Sequence, residues 1–171
     1  MTELPLVIGG VLVPTYGRVG LAQSYAPVGG VFRGRMASGR LVQQIHWRRL
    51  RTTIQGLGWV PAGVDLIDYD EPVVIDCIAP RSVLSASTSV ALPDTRRPDA
   101  DVVAHARTGT EDWARTSLAM DGDTAQITPV AGALQYQVRW YPRLTCFLDP
   151  PEERLDAETA EWSWTVNAEE I

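Results

Sequence analysis

The chain has 171 residues and a mass of 18.8 kDa, enough for one domain with an ordinary buried core. Its apolar fraction of 45% and charged fraction of 21% match a soluble globular protein, and no apolar run approaches the roughly 20 residues of a membrane-spanning helix. All 15 basic residues are arginine against 21 acids, so the net charge of -6 weighs against a general nucleic-acid binder, and the absence of lysine excludes a phosphate-loop lysine, a Schiff base and a lysine general base.

At the start, MTELPLVIGGVLVP is apolar but broken by Gly9-Gly10, which predicts a hairpin; it lacks the basic leader and small-residue cleavage site of a signal peptide. VFRGRMASGRLVQQIHW reads as a second hairpin turning at Ala37-Ser38-Gly39. In the strand that follows, Ile45 and Trp47 share one parity and Leu50, Thr52 and Ile54 the other. A one-residue bulge near Arg48-Arg49 would return all five to one face and turn the arginines outward. GLGWVPAG departs from a nucleotide-binding glycine loop, because its third glycine comes late and Pro61 interrupts the expected helix; Gly56 and Gly58 read instead as places where a strand bends or another backbone approaches.

VDLIDYDEP is acidic, PVVIDCIAP makes a strand between prolines, and RSVLSASTSVAL makes another. PDTRRPDAD, residues 93–101, reads as an exposed arm. TEDWARTSLAM is the one short helix the sequence offers, with Thr110 as cap and Glu111 and Asp112 in its first turn. Asp121-Gly122 marks a hairpin turn. LQYQVRWYP places Leu134, Tyr136, Val138 and Trp140 on one face, with Pro142 at an edge or bulge, and RLTCFL continues the alternation through Leu144, Cys146 and Leu148. DPPEERLDAETAE, within 149–161, reads as a second exposed arm, and EWSWTV sets Trp162, Trp164 and Val166 on one side. Cys77 and Cys146 lie in strand-like segments and read as buried thiols of a reducing compartment. Twelve prolines and fourteen glycines leave little room for helices, so the expected fold is a single all-β domain over 1–171, a β-sandwich or barrel with at most one short helix.

The arginines gather: Arg33, Arg35, Arg40, Arg48, Arg49 and Arg51 fall in one hairpin and the strand after it, predicting a basic sheet face. The acids Asp65, Asp68, Asp70 and Glu71 follow closely, so one protein owns both halves of a charged contact that copies arranged head to tail would make. Trp59, beside Gly58 and Pro61, is the loop tryptophan suited to anchor such an interface. The acidic spacing does not match a calcium loop, no two carboxylates are specifically paired for glycosidase chemistry, and His46 and His105 lack a serine elbow or an activated cysteine.

HWRRLRTTIQGLGWVPAGVDLIDYDEPVVIDCIAPRSV and YQVRWYPRLTCFL resemble segments of small structural proteins from the tails of long-tailed bacteriophages. The similar features are a tryptophan-and-arginine strand, a glycine-tryptophan-proline-glycine turn, an Asp-Tyr before a strand ending in Ala-Pro-Arg, and a late Tyr-Pro strand followed by Trp-x-Trp. The resemblance covers about half of the chain. It implies a non-enzymatic virion component of the distal tail ring type, assembled in the host cytoplasm, that closes a ring in the tail tip or baseplate and joins tail tube to hub. Its implied partners are copies of itself and those neighbouring tail proteins, with no membrane, nucleic acid, metal or cofactor. A second expectation is a carbohydrate-binding β-sandwich with Trp59 and Trp113 as stacking platforms, and a third is a nucleic-acid module built on Arg48, Arg49 and Arg51.

Overall fold

The computed structural model of the chain describes residues 4–93, 95–109 and 112–171. These residues form an all-β fold of antiparallel sheets, in which the helical content is a single 3₁₀ turn, Thr15–Gly17. In chain order the strands are β1 (Val7–Ile8), β2 (Val11–Leu12), β3 (Ala22–Arg35), β4 (Leu41–Gly58) and β5 (Val73–Asp76). There follow β6 (Arg81–Ser85), β7 (Ser89–Ala91), β8 (Val103–Arg107), β9 (Trp113–Thr116), β10 (Leu118–Asp121), β11 (Thr124–Ile127) and β12 (Gln135–Trp140). The last are β13 (Arg143–Leu148), β14 (Glu152–Asp156) and β15 (Glu161–Glu170). The chain, expected to be one domain, gathers into two compact units: a sandwich unit of Met1–Val7 and Asp76–Leu144, and a hairpin unit of Ile8–Ile75 and Thr145–Ile171.

The sandwich unit packs two sheets face to face. One has the order β10-β11-β7 and the other β6-β12-β8-β9. Alternation decides which side chains meet: Val90, Ala125 and Ile127 from the first sheet and Ala104, Ala106, Tyr136, Val138 and Trp140 from the second form one buried cluster. Leu134, expected on that face, stands before the strand and is exposed. The stretch expected as a helix forms β9 and β10 instead, with Thr110 and Glu111 outside the described residues. Trp, Thr and Met there are as content in a strand, and pairing with β8 and β11 outweighs the weak local helix signal. The β10–β11 hairpin turns on Gly122-Asp123 with Asp121 opposite Thr124; Gly122 alone has positive φ (55°), the type II′ arrangement, so the turn lies one residue later than the sequence suggested. Pro142, which has no N–H, serves as an acceptor at a break in the ladder, taking the Cys77 N–H at 3.1 Å.

Residues 95–101, part of the stretch expected as an exposed arm, are tied into this unit by Arg97, whose side chain is buried. Its guanidinium donates to the carbonyls of Pro5 (2.8 Å), Asp76 (3.1 Å) and Cys77 (3.1 Å) and forks onto both carboxylate oxygens of Asp99 (2.9 and 2.7 Å).

The hairpin unit is built on an eight-stranded sheet of order β2-β1-β5-β13-β15-β4-β3, with β14 paired to β15. Residues 149–161, expected as an arm, carry β14 and its turn, and most of their side chains are exposed. The β1–β2 turn uses Gly9 and Gly10, both at positive φ, and the β3–β4 turn uses Gly39 (φ 80°), whose N–H returns to Met36 O at 2.8 Å. Gly56 and Gly58 admit close neighbours, as their spacing suggested. A Cβ on Gly58 would stand 2.0 Å from Tyr16 O, and Trp164 crosses Gly56 to donate its indole N–H to Gly17 O at 2.7 Å.

Candidate interface: a hairpin ribbon and an acidic edge

β15 supports β4 only from Gly58 back to Arg51. Beyond that point β3 and β4 pair with each other alone, so residues 26–50 run on as a two-stranded ribbon roughly 30 Å long at ~3.4 Å per residue. The bulge that the sequence calls for lies elsewhere than expected. The register shifts between Gly30 and Val31, opposite Ile45 and Trp47, making His46 rather than Arg48-Arg49 the extra residue. The consequence is a different partition of side chains.

Ile45 rejoins the face of Leu50, Thr52 and Ile54, but Trp47 does not; opposite Gly30, it shares its face with Arg49 and Arg51. The arginines are therefore split between faces. Arg48, Arg33 and Arg35 stand with Val31, Ile45 and Leu41 on the extension of the core-side face, all of them exposed because no strand lies beneath. On the opposite face Trp47 lies over Gly30, where a Cβ would stand 2.7 Å from its indole nitrogen, and Phe32 lies over Gly34. Trp47 is 49% exposed, and Phe32 and Met36 are exposed too.

Local hydrogen bonds hold several arginines in place without neutralising them. Arg33 donates to Gln43 Oε1 at 2.8 Å, Arg35 to Gly39 O at 2.9 Å, and Arg49 to the carbonyl of Ile171. Arg51 alone among these forms an ion pair, with its cross-strand neighbour Glu169 at 2.7 Å.

The acidic group lies in a loop of the same unit. Asp65, Asp68, Asp70 and Glu71 are all exposed, Asp68 accepts the Asp70 N–H at 3.0 Å, and the Tyr69 hydroxyl anchors the loop to Val64 O at 2.8 Å. Leu66 in this loop is 100% exposed, an apolar side chain between Asp65 and Asp68 in sequence. Glu153 of β14 accepts the Ala62 N–H at 3.2 Å, which brings the acids of β14 beside this loop. The Tyr69 hydroxyl records that company: burial first, then Asp65 and Glu153, push its pKa above the usual tyrosine value. Among the described residues no ion pair joins the ribbon arginines to Asp65, Asp68, Asp70 or Glu71. Arg33, Arg35 and Arg48 on one side and Asp65, Asp68, Asp70 and Glu71 on the other are all exposed.

Trp59 makes its contacts with Tyr16. It is exposed and pairs with exposed Tyr16 at 6.1 Å between centroids, tilted by 42°, and its backbone N–H is held by Tyr16 O at 2.7 Å. Sequence reasoning found the charges but missed Leu66 and Phe32. The signal for both was an apolar residue inside a strongly charged run, which reads equally well as ordinary core.

Fold and surface together define an all-β protein of antiparallel sheets with a projecting hairpin ribbon. No protein-family model matches the chain, and no curated protein matches it either.

Proposed function

We propose that the protein is a structural, non-enzymatic subunit that assembles head to tail with copies of itself. We further propose that the assembly is a ring in the tail tip or baseplate of a long-tailed bacteriophage, joining tube to hub. The observation that carries the reading is the ribbon. A two-stranded hairpin with apolar side chains on both faces is marginal in water on its own, and this one places Val31, Ile45 and Leu41 on a continuation of the face that is core further down the same strands.

The occupant fits the chain's own acidic loop. Leu66 offers an apolar tip to that stripe, and Asp65, Asp68, Asp70 and Glu71 face Arg33, Arg35 and Arg48 around it. The face with these residues, roughly 30 Å by roughly 10 Å, offers roughly 300 Å², so the contact reaches the ~800 Å² per partner of a standard protein interface only when the Trp47 and Phe32 face and the flanking surface are covered as well. Two different surfaces in one contact propagate from copy to copy and close only if the rotation divides a full turn, which is the geometry of a ring. The phage setting rests on the sequence resemblance.

Negative-stain imaging and native mass spectrometry of the purified protein test the assembly, and peptide mapping of purified virions tests the location. Annular particles and tail-associated peptides support the reading. A strictly monomeric protein at millimolar concentration whose peptides are missing from virions that encode it overturns it.

A further inference from the structure

A second surface lies in the sandwich unit and has no part in that contact. Where Ala104, Ala106, Tyr136 and Val138 face the core, their neighbours in sequence face out, so the register of β6-β12-β8-β9 lays out the opposite face of the four-stranded sheet. Gln137 stands between Leu84 and His105, Arg139 between Ser82 and Val103, and Gln135 beside Arg107; on the far side His105 meets Arg115 and Arg107 meets Trp113. In a protein of net charge -6 this face gathers three arginines and a histidine, and among the described residues it carries no carboxylate. Asp101 and Asp112 lie before β8 and β9, at its rim.

Three further observations favour a ligand. Trp113 is 40% exposed with the Arg107 guanidinium over its ring at 5.9 Å, an aromatic platform with a cation fixed beside it. His105 Nδ1 and Arg107 Nε are buried atoms with no hydrogen-bond partner among the described residues. Beside the face opens a groove of about 690 Å³ that shares Val103 and Arg115 with it and has Asp101 at its edge as the one carboxylate of its lining.

Size decides between classes of partner. Four strands ~4.8 Å apart and five residues long give a face of roughly 15 by 17 Å, about 250 Å², well short of the ~800 Å² a protein partner needs but wide enough for two to four sugar rings. A single tryptophan gives no succession of stacking platforms for nucleic-acid bases. We infer that the outer face of the β6-β12-β8-β9 sheet binds an acidic oligosaccharide, one ring stacked on Trp113, its carboxylate or sulfate groups held by Arg107, Arg115 and Arg139, and its hydroxyls by Gln135 and Gln137.

His105 supplies a readout. Burial first, then Arg139 and Arg115, hold its pKa below the usual histidine value, and Arg107 on its own strand is the remaining charged group of the face. A bound anion offsets those charges, so saturation raises the His105 pKa and binding tightens as pH falls. The test uses the full chain, NMR titration of the His105 imidazole assigned against His46→Gln, and calorimetry with a heparin tetrasaccharide, a galacturonate tetramer, neutral maltotetraose and hexathymidylate.

The expected result is binding of an acidic tetrasaccharide, a raised His105 pKa in its presence, and at least tenfold weaker binding in Trp113→Ala and, separately, in Arg139→Glu. Both side chains are exposed, so both variants keep the fold. No acidic binding at millimolar ligand, equal binding of maltotetraose, tighter binding of hexathymidylate, or unchanged affinity in both variants overturns the inference. Its surface lies in the sandwich unit and the assembly surfaces in the hairpin unit, so one proposal can fail while the other stands.

Discussion

Trp164 lies across Gly56, so closely that a Cβ on the glycine would stand 2.2 Å from the indole ring. The two residues face one another across the β15–β4 ladder, and the indole N–H passes over the bare backbone to reach Gly17 O at 2.7 Å. Gly56→Ala forces the ring to leave both its packing site and its acceptor. The expected loss is about 2–4 kcal/mol, seen as a lower urea midpoint with unchanged m-value. Gly63→Ala probes a different cost: no atom lies within 4 Å of its Cβ position, but its φ of 75° is left-handed, so its expected loss is smaller, about 1 kcal/mol.

Arg97 gives the second prediction. Its buried guanidinium supplies donors to three backbone carbonyls and to Asp99. Arg97→Met removes the donors to those carbonyls and to Asp99 and is expected to cost about 2–4 kcal/mol by urea denaturation, a figure already reduced because Asp99 is half exposed. Arg97→Lys recovers little, since an ammonium group cannot fork onto a carboxylate and reach three carbonyls at once.

Stability should respond to pH in two separate windows. His105 has a folded pKa below its ordinary 6.5, so the unfolded chain takes up a proton first as pH falls, and stability declines from about pH 6.5 downward until the folded value is passed. Asp99 is held below its ordinary 3.8, chiefly by the hydrogen bond from Arg97, so its contribution is present above that value and is lost as pH falls through the folded one. Thermal melting across pH 3–8 checks both: His105→Gln should flatten the upper limb and leave the acid limb, and Asp99→Asn should do the reverse.

Most of the fold was legible because alternation and turn chemistry are local signals. Tyr136, Val138 and Trp140, Leu144, Cys146 and Leu148, and Trp164 with Val166 are buried as their spacing dictates. The glycine turns at Gly9-Gly10 and Gly39 and the close approaches at Gly56 and Gly58 follow the same logic. What was not legible depends on distant partners. Nothing near Arg97 says that its side chain will be buried under Pro5, Asp76 and Cys77 carbonyls, and nothing in TEDWARTSLAM says that β8 and β11 will capture it. The bulge shows the limit well: parity demanded one extra residue between Ile45 and Leu50, but its place was set by Gly29-Gly30 on the opposite strand, where Trp47 finds room. At the candidate site the charged runs were visible and the apolar tips inside them were not.

The ribbon separates assembly from folding. Replacing residues 32–44 by a two-residue Asn-Gly turn, which closes on the Val31–Ile45 pair, removes side chains that bury little in the isolated subunit, so the stability measured by urea should change by no more than about 0.5–1 kcal/mol. Sedimentation of the shortened protein should give a monomer wherever the full chain assembles.

Mixing two blocked variants tests the head-to-tail contact most directly. Arg33→Glu with Ile45→Glu disables the ribbon, Asp65→Arg with Leu66→Asp disables the acidic loop, and each variant keeps one live surface. Native mass spectrometry should find each alone as a monomer and their mixture as a one-to-one dimer that grows no further, since the only compatible pair of surfaces is then used. Failure of the mixture to dimerise under conditions where the unmodified chain assembles, or assembly of either variant alone, would contradict the account.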